Sequence, residues 1–211
     1  ELPDLVNSHT VITDVASVKY SIKESLKCTP YDFQIRFVLG HPIAGSEKSG
    51  YTAANKRLFN NRNVILTPDS SVLASSVATI NELWRLTGAN VLGLELERHD
   101  KILALTSHLP HLLAYTMVDI LAEQTKSDDI FRYAAGGFAD FSRLSSSDPE
   151  MWSEIFLANA SEIEQILNVY IEVDFFQKNN MFVVGVVKPS FRLGKEQRLF
   201  LRWKFEGNYD R

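Results

Sequence analysis

Gly40-His41-Pro42-Ile43-Ala44-Gly45-Ser46-Glu47-Lys48-Ser49-Gly50 is the stretch on which the reading of this chain turns. It follows an apolar, β-rich run over residues 33–39, so it should begin where a strand ends. Gly40 and Pro42 disfavour regular structure on either side of His41. Three glycines and two serines within the eleven residues make a loop with free backbone N–H groups. A histidine at a strand's carboxyl end, over such a loop, is well placed to handle a proton. The alternative is a turn whose histidine merely caps the strand.

Upstream, residues 10–13 (Thr-Val-Ile-Thr) form a short β-branched run, read as a buried strand. A helix over residues 18–28 follows, capped by Ser17 or Asp14 and broken at Thr29-Pro30. Downstream, residues 52–59 read as a short helix and residues 63–67 as a third strand. Pro68-Asp69-Ser70-Ser71 then opens a helix carrying Val72, Val77, Ile80, Leu83 and Trp84, which Gly88 ends. Strands alternating with helices imply a parallel sheet whose ligands sit outside the strands' carboxyl ends. Ser17 and His41 both fall at such ends.

From Val91 the pattern changes to helical periodicity. Residues 92–124 read as one or two long helices, interrupted at Pro110. Helical pieces follow over 130–135 and 138–144. Another starts at Ser147-Asp148-Pro149-Glu150, and a further one covers 161–176. The apolar faces of this region either pack on each other or form a dimer interface, the latter being favoured. The expected division is 1–90 as a partial nucleotide-binding α/β domain, 91–178 as a helical substrate and dimerisation domain, and 179–211 as a basic tail.

Composition narrows the function classes. With 211 residues, 45% hydrophobic content and a formal net charge of −4, the chain can bury a large core and is ill suited to general nucleic-acid binding. The single cysteine, Cys28, forms no internal disulfide, which fits a reducing cytoplasm. No apolar run reaches the length of a membrane span, and the first residues lack the basic start of a signal peptide.

Chemistry concentrates in few places. Three of the five histidines lie in one segment, His99-Asp100 and then Ser107-His108-Leu109-Pro110-His111. His108 and His111 are neighbours on a helix face. Without His-Glu-x-x-His or a cysteine partner, no metal is expected there. Arg143, within the aromatic stretch Phe138-Ala139-Asp140-Phe141-Ser142-Arg143, needs either an anionic ligand or a structural carboxylate.

Taken in order, Thr13-Asp14-Val15-Ala16-Ser17-Val18-Lys19, the stretch Gly40 to Gly50, His99-Asp100, Ser107 to His111, and Gly137 to Arg143 with Ser147-Asp148-Pro149 and Trp152 resemble the prephenate dehydrogenase family. The resemblance covers roughly residues 1–170. It implies a Rossmann-type nucleotide-binding domain followed by a helical dimerisation domain, acting as a cytoplasmic homodimer. It implies oxidative decarboxylation of prephenate to 4-hydroxyphenylpyruvate, with hydride transfer to NAD or NADP, in tyrosine biosynthesis. His41 matches the catalytic histidine and Ser17 the serine that orients it and the nicotinamide end, with Asp14 beside it on the cofactor side. Arg143 matches the residue gripping a substrate carboxylate. His108, His111 and Trp152 match pocket residues, and Glu47 a gating acid.

One departure is plain. The family's Gly-x-Gly-x-x-Gly loop, which brings a helix N-terminus to the pyrophosphate, occurs nowhere in these 211 residues. Residues 181–186 resemble the family's opening strand and 208–211 the end of its second. The tail is therefore either a displaced piece of the nucleotide-binding domain or an ordinary C-terminal extension. Alternatives from the same resemblance are arogenate dehydrogenase and a truncated, non-catalytic dimerisation or ligand-binding module.

Overall fold

The computed structural model describes residues 2–45, 50–124, 133, 135–172, 186–193 and 199–206, the last two stretches as backbone. After a helical turn, α1 (Leu2–Leu5), β1 (Ile12–Thr13) pairs in parallel with β2 (Phe37–Val38). Between them lie α2 (Tyr20–Leu26) and α3 (Tyr31–Gln34). β3 (Gly40–Pro42) runs antiparallel to β4 (Asn63–Leu66), and β5 (Asn90–Gly93) lies parallel to β4 beyond α4 (Ala74–Leu86). The run 37–42 is shared by both ladders, and at its joint the Leu39 carbonyl accepts from the Thr67 N–H at 2.9 Å.

Alternation along that run buries both faces. Val38 packs with Val64, Leu66, Ile80, Trp84 and Ala89 under α4. Phe37 and Leu39 point the other way and pack with Phe33 and Leu96, against Ile22 and Leu26 of α2. Leu96 opens the helical half, so this second core joins the two halves.

That half begins with α5 (Leu96–Leu103), which passes through a π-helical turn, Ala104–His108, into α6 (Leu109–Gln124). α7 (Gly136–Ser142), a 3-10 turn at Arg143–Ser146, α8 (Pro149–Ala158) and α9 (Ala160–Glu172) follow. Ala104, Leu109, Leu112, Trp152, Phe156, Ile163 and Leu167 form their core. The fold class is that read from the sequence, an α/β unit followed by an all-α unit. β6 (Val186–Leu193) and β7 (Leu199–Glu206) form an antiparallel hairpin, and among the described residues they pair with no other strand.

Several local expectations are corrected. His41 sits inside a strand rather than in a loop. Backbone bonds to β4 fall on the Leu39 carbonyl and on the Ile43 N–H, which donates to Asn63 at 2.8 Å. Pro42 is out of phase with both, so its missing N–H faces away from β4. Phe33 belongs to α3, started by Pro30, and not to the strand. The sheet is mixed because β3 opposes β4. The helix expected over 52–59 is a 3-10 turn, Tyr51–Ala53, followed by turns in which the Asn55 side chain accepts from the Arg57 N–H. α4 starts at Ala74 because Asp69 accepts from the Ser71 N–H and folds the preceding residues into a turn. β5 extends the sheet past residue 90. Pro110 lies in the first turn of α6, and the disruption appears just upstream, as the π-helical turn. Gly88 ends α4 as expected, at φ +85° with Asn60 Oδ1 where a side chain would go. Residues 173–185, and with them most of the segment 181–186 that resembles the family's opening strand, lie outside the described residues.

Candidate active site

His41 is presented by a clamp on Gly40. The Asp14 carboxylate accepts from the Gly40 N–H at 3.1 Å, and the Lys19 ammonium donates to the Gly40 carbonyl. Lys19 also pairs with Asp14, and Asp14 accepts from the Ala16 N–H at 2.9 Å, which holds the 14–19 loop against the strand. A Cβ at Gly40 would lie 2.9 Å from Thr13 Oγ1 and 3.0 Å from the Asp14 carbonyl oxygen. Only glycine lets the strand approach this closely.

The histidine's side chain reaches into the helical half. His41 Nδ1 lies 2.9 Å from His99 Nε2, and His99 Nδ1 lies 2.7 Å from Asp100 Oδ1. Asp100 also accepts from the backbone N–H groups of Lys19 (2.9 Å) and Tyr20 (2.8 Å), the N-terminus of α2. No side chain from α2's own end caps it; the cap comes from 80 residues away. The Asn159 amide donates to the Asp100 carbonyl and to His108 Nδ1, both at 2.9 Å. Neutral His108 therefore carries its proton on Nε2.

Beyond His108 the rings continue. Its ring is 6.2 Å from that of Trp152, on which His111 stacks at 3.7 Å and 16°. His111 is held by its Nδ1–H, which donates to the Ser107 carbonyl of the π-helical turn at 2.8 Å. The Trp152 indole N–H is buried and meets no acceptor among the described residues. Arg143 is exposed at the head of its 3-10 turn, and the Tyr115 hydroxyl pins the far end of that turn by donating to the Ser147 carbonyl at 2.7 Å.

Burial sets the charge states. Desolvation, followed by the proximity of His99, Lys19 and His108, pushes His41 down to about 3. Desolvation, with His99 and His111 adding to it, pushes His108 down to about 4. Desolvation and the Arg143 charge lower His111 as well. For Asp100, burial acts to raise the pKa, but hydrogen bonds from His99 and the Lys19 and Tyr20 amides outweigh it and hold the group low. The site thus offers neutral imidazoles beside an ionised carboxylate at neutral pH.

Among the residues expected from sequence, His41, His108, His111 and Trp152 join one continuous set of contacts, with Arg143 close enough to act on His111. Ser17 is half-buried in the 14–19 loop and makes no hydrogen bond to His41, whose side-chain partner is His99. Both carboxylate oxygens of Asp14 are engaged by Lys19, Ala16 and Gly40. Glu47 lies outside the described residues. His99, Asp100, Lys19 and Asn159 are additional members of the site. The adjacent His99-Asp100 pair was a visible signal; Asn159 gave none.

Comparison with known proteins follows the same two-part layout. Residues 1–93 match the family model described as prephenate dehydrogenase, nucleotide-binding domain. Residues 95–177 match that described as prephenate dehydrogenase, dimerization domain. The chain is 37% identical over 163 residues to cyclohexadienyl dehydrogenase of Zymomonas mobilis, covering 76% of this chain and 55% of the relative. It is 35% identical over 175 residues to prephenate dehydrogenase of Bacillus subtilis, covering 80% and 46%. Among solved structures it resembles prephenate dehydrogenase from Aquifex aeolicus in complex with hydroxyphenyl propionate and NAD+, at TM-score 0.75 and 34% identity, covering 84% of this chain and 62% of that one. The chain thus spans about half the length of these curated relatives.

Proposed function

The chain belongs to the prephenate dehydrogenase family, and from that premise we propose that it carries the catalytic and substrate-binding side of an oxidative decarboxylation of prephenate to 4-hydroxyphenylpyruvate, in tyrosine biosynthesis. The observation that carries this reading is His41, buried, held neutral and aligned by a second histidine and a carboxylate.

His41 takes the proton of the substrate's ring hydroxyl. NAD or NADP, when bound, supplies the acceptor for the hydride that leaves the hydroxyl-bearing carbon. The ring carboxylate departs as carbon dioxide, and the electron pair of the broken carbon–carbon bond completes the aromatic ring. The phenol then recovers its proton from His41, so the base ends neutral, as it began. Arg143 grips a substrate carboxylate. The buried Trp152 N–H, with the Nε2–H of His108, offers donors to the substrate's other oxygens. The family resemblance assigns Glu47 the part of a gating acid.

For the cofactor, the residues present suit the nicotinamide end alone. Ser17 keeps a half-buried hydroxyl without a hydrogen-bond partner among the described residues, whereas the Asp14 carboxylate is fully engaged and no glycine fingerprint lies in the chain. Ser17 is therefore retained as a cofactor-side residue and Asp14 becomes a scaffold for Gly40. NAD is favoured by the NAD+ complex of the Aquifex aeolicus neighbour. The proposed domains remain 1–90, 91–178 and a tail at 179–211. The helical domain would form a homodimer, in keeping with the dimerization-domain match. No helix of the described residues is long and apolar enough to cross a membrane, and a cytoplasmic setting suits the lone exposed Cys28.

The test is direct. Purified protein is given NAD or NADP with prephenate or arogenate, and reduced-cofactor absorbance is followed alongside a binding titration. Turnover on prephenate that His41→Ala abolishes, with prephenate binding in the titration nearly unchanged, is the expected result. Arogenate turnover alone would shift the substrate assignment. Binding of prephenate without binding of either cofactor would favour the non-catalytic module.

A further inference from the structure

We propose that His99, oriented by Asp100, is a positioning residue that fixes His41 in the tautomer with its proton on Nδ1, leaving Nε2 bare to receive the substrate's hydroxyl proton. The proposal rests on the reading of His41 as the base and adds what makes it one.

Asp100 is an acceptor only, since an ionised carboxylate has no proton to give. The group 2.7 Å from its Oδ1 is His99 Nδ1, which must therefore carry hydrogen. A neutral His99 then has a lone pair on Nε2. That atom faces His41 Nδ1 at 2.9 Å, and two lone pairs do not meet at that distance. His41 Nδ1 is consequently the donor, and the neutral ring keeps its Nε2 unprotonated. The opposite polarity would place a proton on His41 Nε2 and remove the base.

The anchor is fixed from three directions. Backbone N–H groups of Lys19 and Tyr20 hold the Asp100 carboxylate, and the Asn159 amide holds its carbonyl. His99 is fully buried, so solvent cannot replace it as the acceptor for His41. The charged and titratable groups around His41 are His99 and Asp100 from α5, His108 from the π-helical turn, and Lys19, paired with Asp14, from the loop before α2. Lys19 opposes a positive charge on His41, which keeps that ring neutral.

Histidine side-chain nitrogen and proton NMR on the wild-type chain, without cofactor or substrate, reads the tautomer directly. His41 should show a protonated Nδ1 and an unprotonated Nε2. His99→Leu should lose that signature, and kcat should fall about 10–100-fold, part of a positioned base's contribution, with KM for prephenate little changed. His99→Gln, whose amide can accept from His41 and donate to Asp100, should restore much of both. A proton on His41 Nε2 in the wild type overturns the proposal, as does a His99→Leu variant with unchanged tautomer and kcat. The wild-type spectrum decides even if the leucine variant does not fold. A wild type with the expected tautomer and no turnover upholds the relay and counts against the function proposed for it.

Discussion

Gly40 has room for a hydrogen and nothing larger, and the position of His41 depends on it. The nearest obstacles to a methyl group are Thr13 Oγ1 and the Asp14 backbone carbonyl, and backbone does not swing aside. Gly40→Ala should cost about 1–3 kcal/mol of stability, the usual range for overpacking, read as a lower urea midpoint. It should also lower kcat more than it raises KM, because the displaced group is the base. Equal loss in both would place the strain elsewhere. Trp152 makes the complementary case. Its buried N–H has no acceptor among the described residues, so Trp152→Phe should raise KM for prephenate roughly three- to tenfold, the worth of one net hydrogen bond, with kcat nearly kept. An unchanged KM would leave the indole as packing for His111. Arg143→Ala should likewise act on KM, by losing a charge-assisted contact to a carboxylate.

At the scale of elements, α2 is capped by a carboxylate from α5. Asp100→Ala removes the acceptor for two amides at once. It should cost at least the roughly 0.5–2 kcal/mol of a lost N-cap, and amide exchange at Lys19 and Tyr20 should speed up before that of β4. If those amides exchange at the wild-type rate, water or another group caps the helix. This cap also marks the limit of local reading. Asp14 and Ser17 were reasonable caps by position, and nothing within ten residues of Tyr20 announces Asp100. Long apolar runs were legible: the body and the Gly88 end of α4, α8 with its Asp148 cap, and the strand at 63–66 stand where periodicity and turn residues put them. β5 escaped notice because four residues, Asn-Val-Leu-Gly, carry too little pattern against the helix that follows. His41 was expected in a loop because Gly40 and Pro42 read as breakers. Their tolerance in β3 depends on partners, Thr13, Asp14 and β4, that only the fold supplies. The site was legible as residue types in an order; the hydrogen-bonded line between the two halves was not.

For the molecule as a whole, that line makes stability depend on pH in a calculable direction. His41 and His108 ionise near 3 and 4 in the folded protein, against an ordinary histidine value of 6.5. Between those values the unfolded chain binds protons that the folded chain refuses, so stability falls as pH falls. The full contribution is present above about 6.5 and is lost progressively toward 4. Each histidine contributes a slope of about 1.4 kcal/mol per pH unit where the difference is complete. His111 is lowered too and adds in the same sense. Asp100 extends the loss below the ordinary aspartate range, because its folded-state pKa is also depressed. Urea unfolding at pH 7.5, 6, 5 and 4.5 should therefore show little change near the first value and a steepening decline below the second. His108→Gln should reduce the slope by up to one proton whatever it does to absolute stability. His41 belongs to the sheet half and His108 to the helical half, with Asp100 and Asn159 between them. Protonating either ring therefore charges the contact that holds the halves together, and acid should expose amides along β3 and α5 before those of the core under α4. A flat stability profile from pH 7.5 to 4.5 would mean that the rings are open to water and take up protons freely, which would remove the basis for a neutral, aligned base at His41.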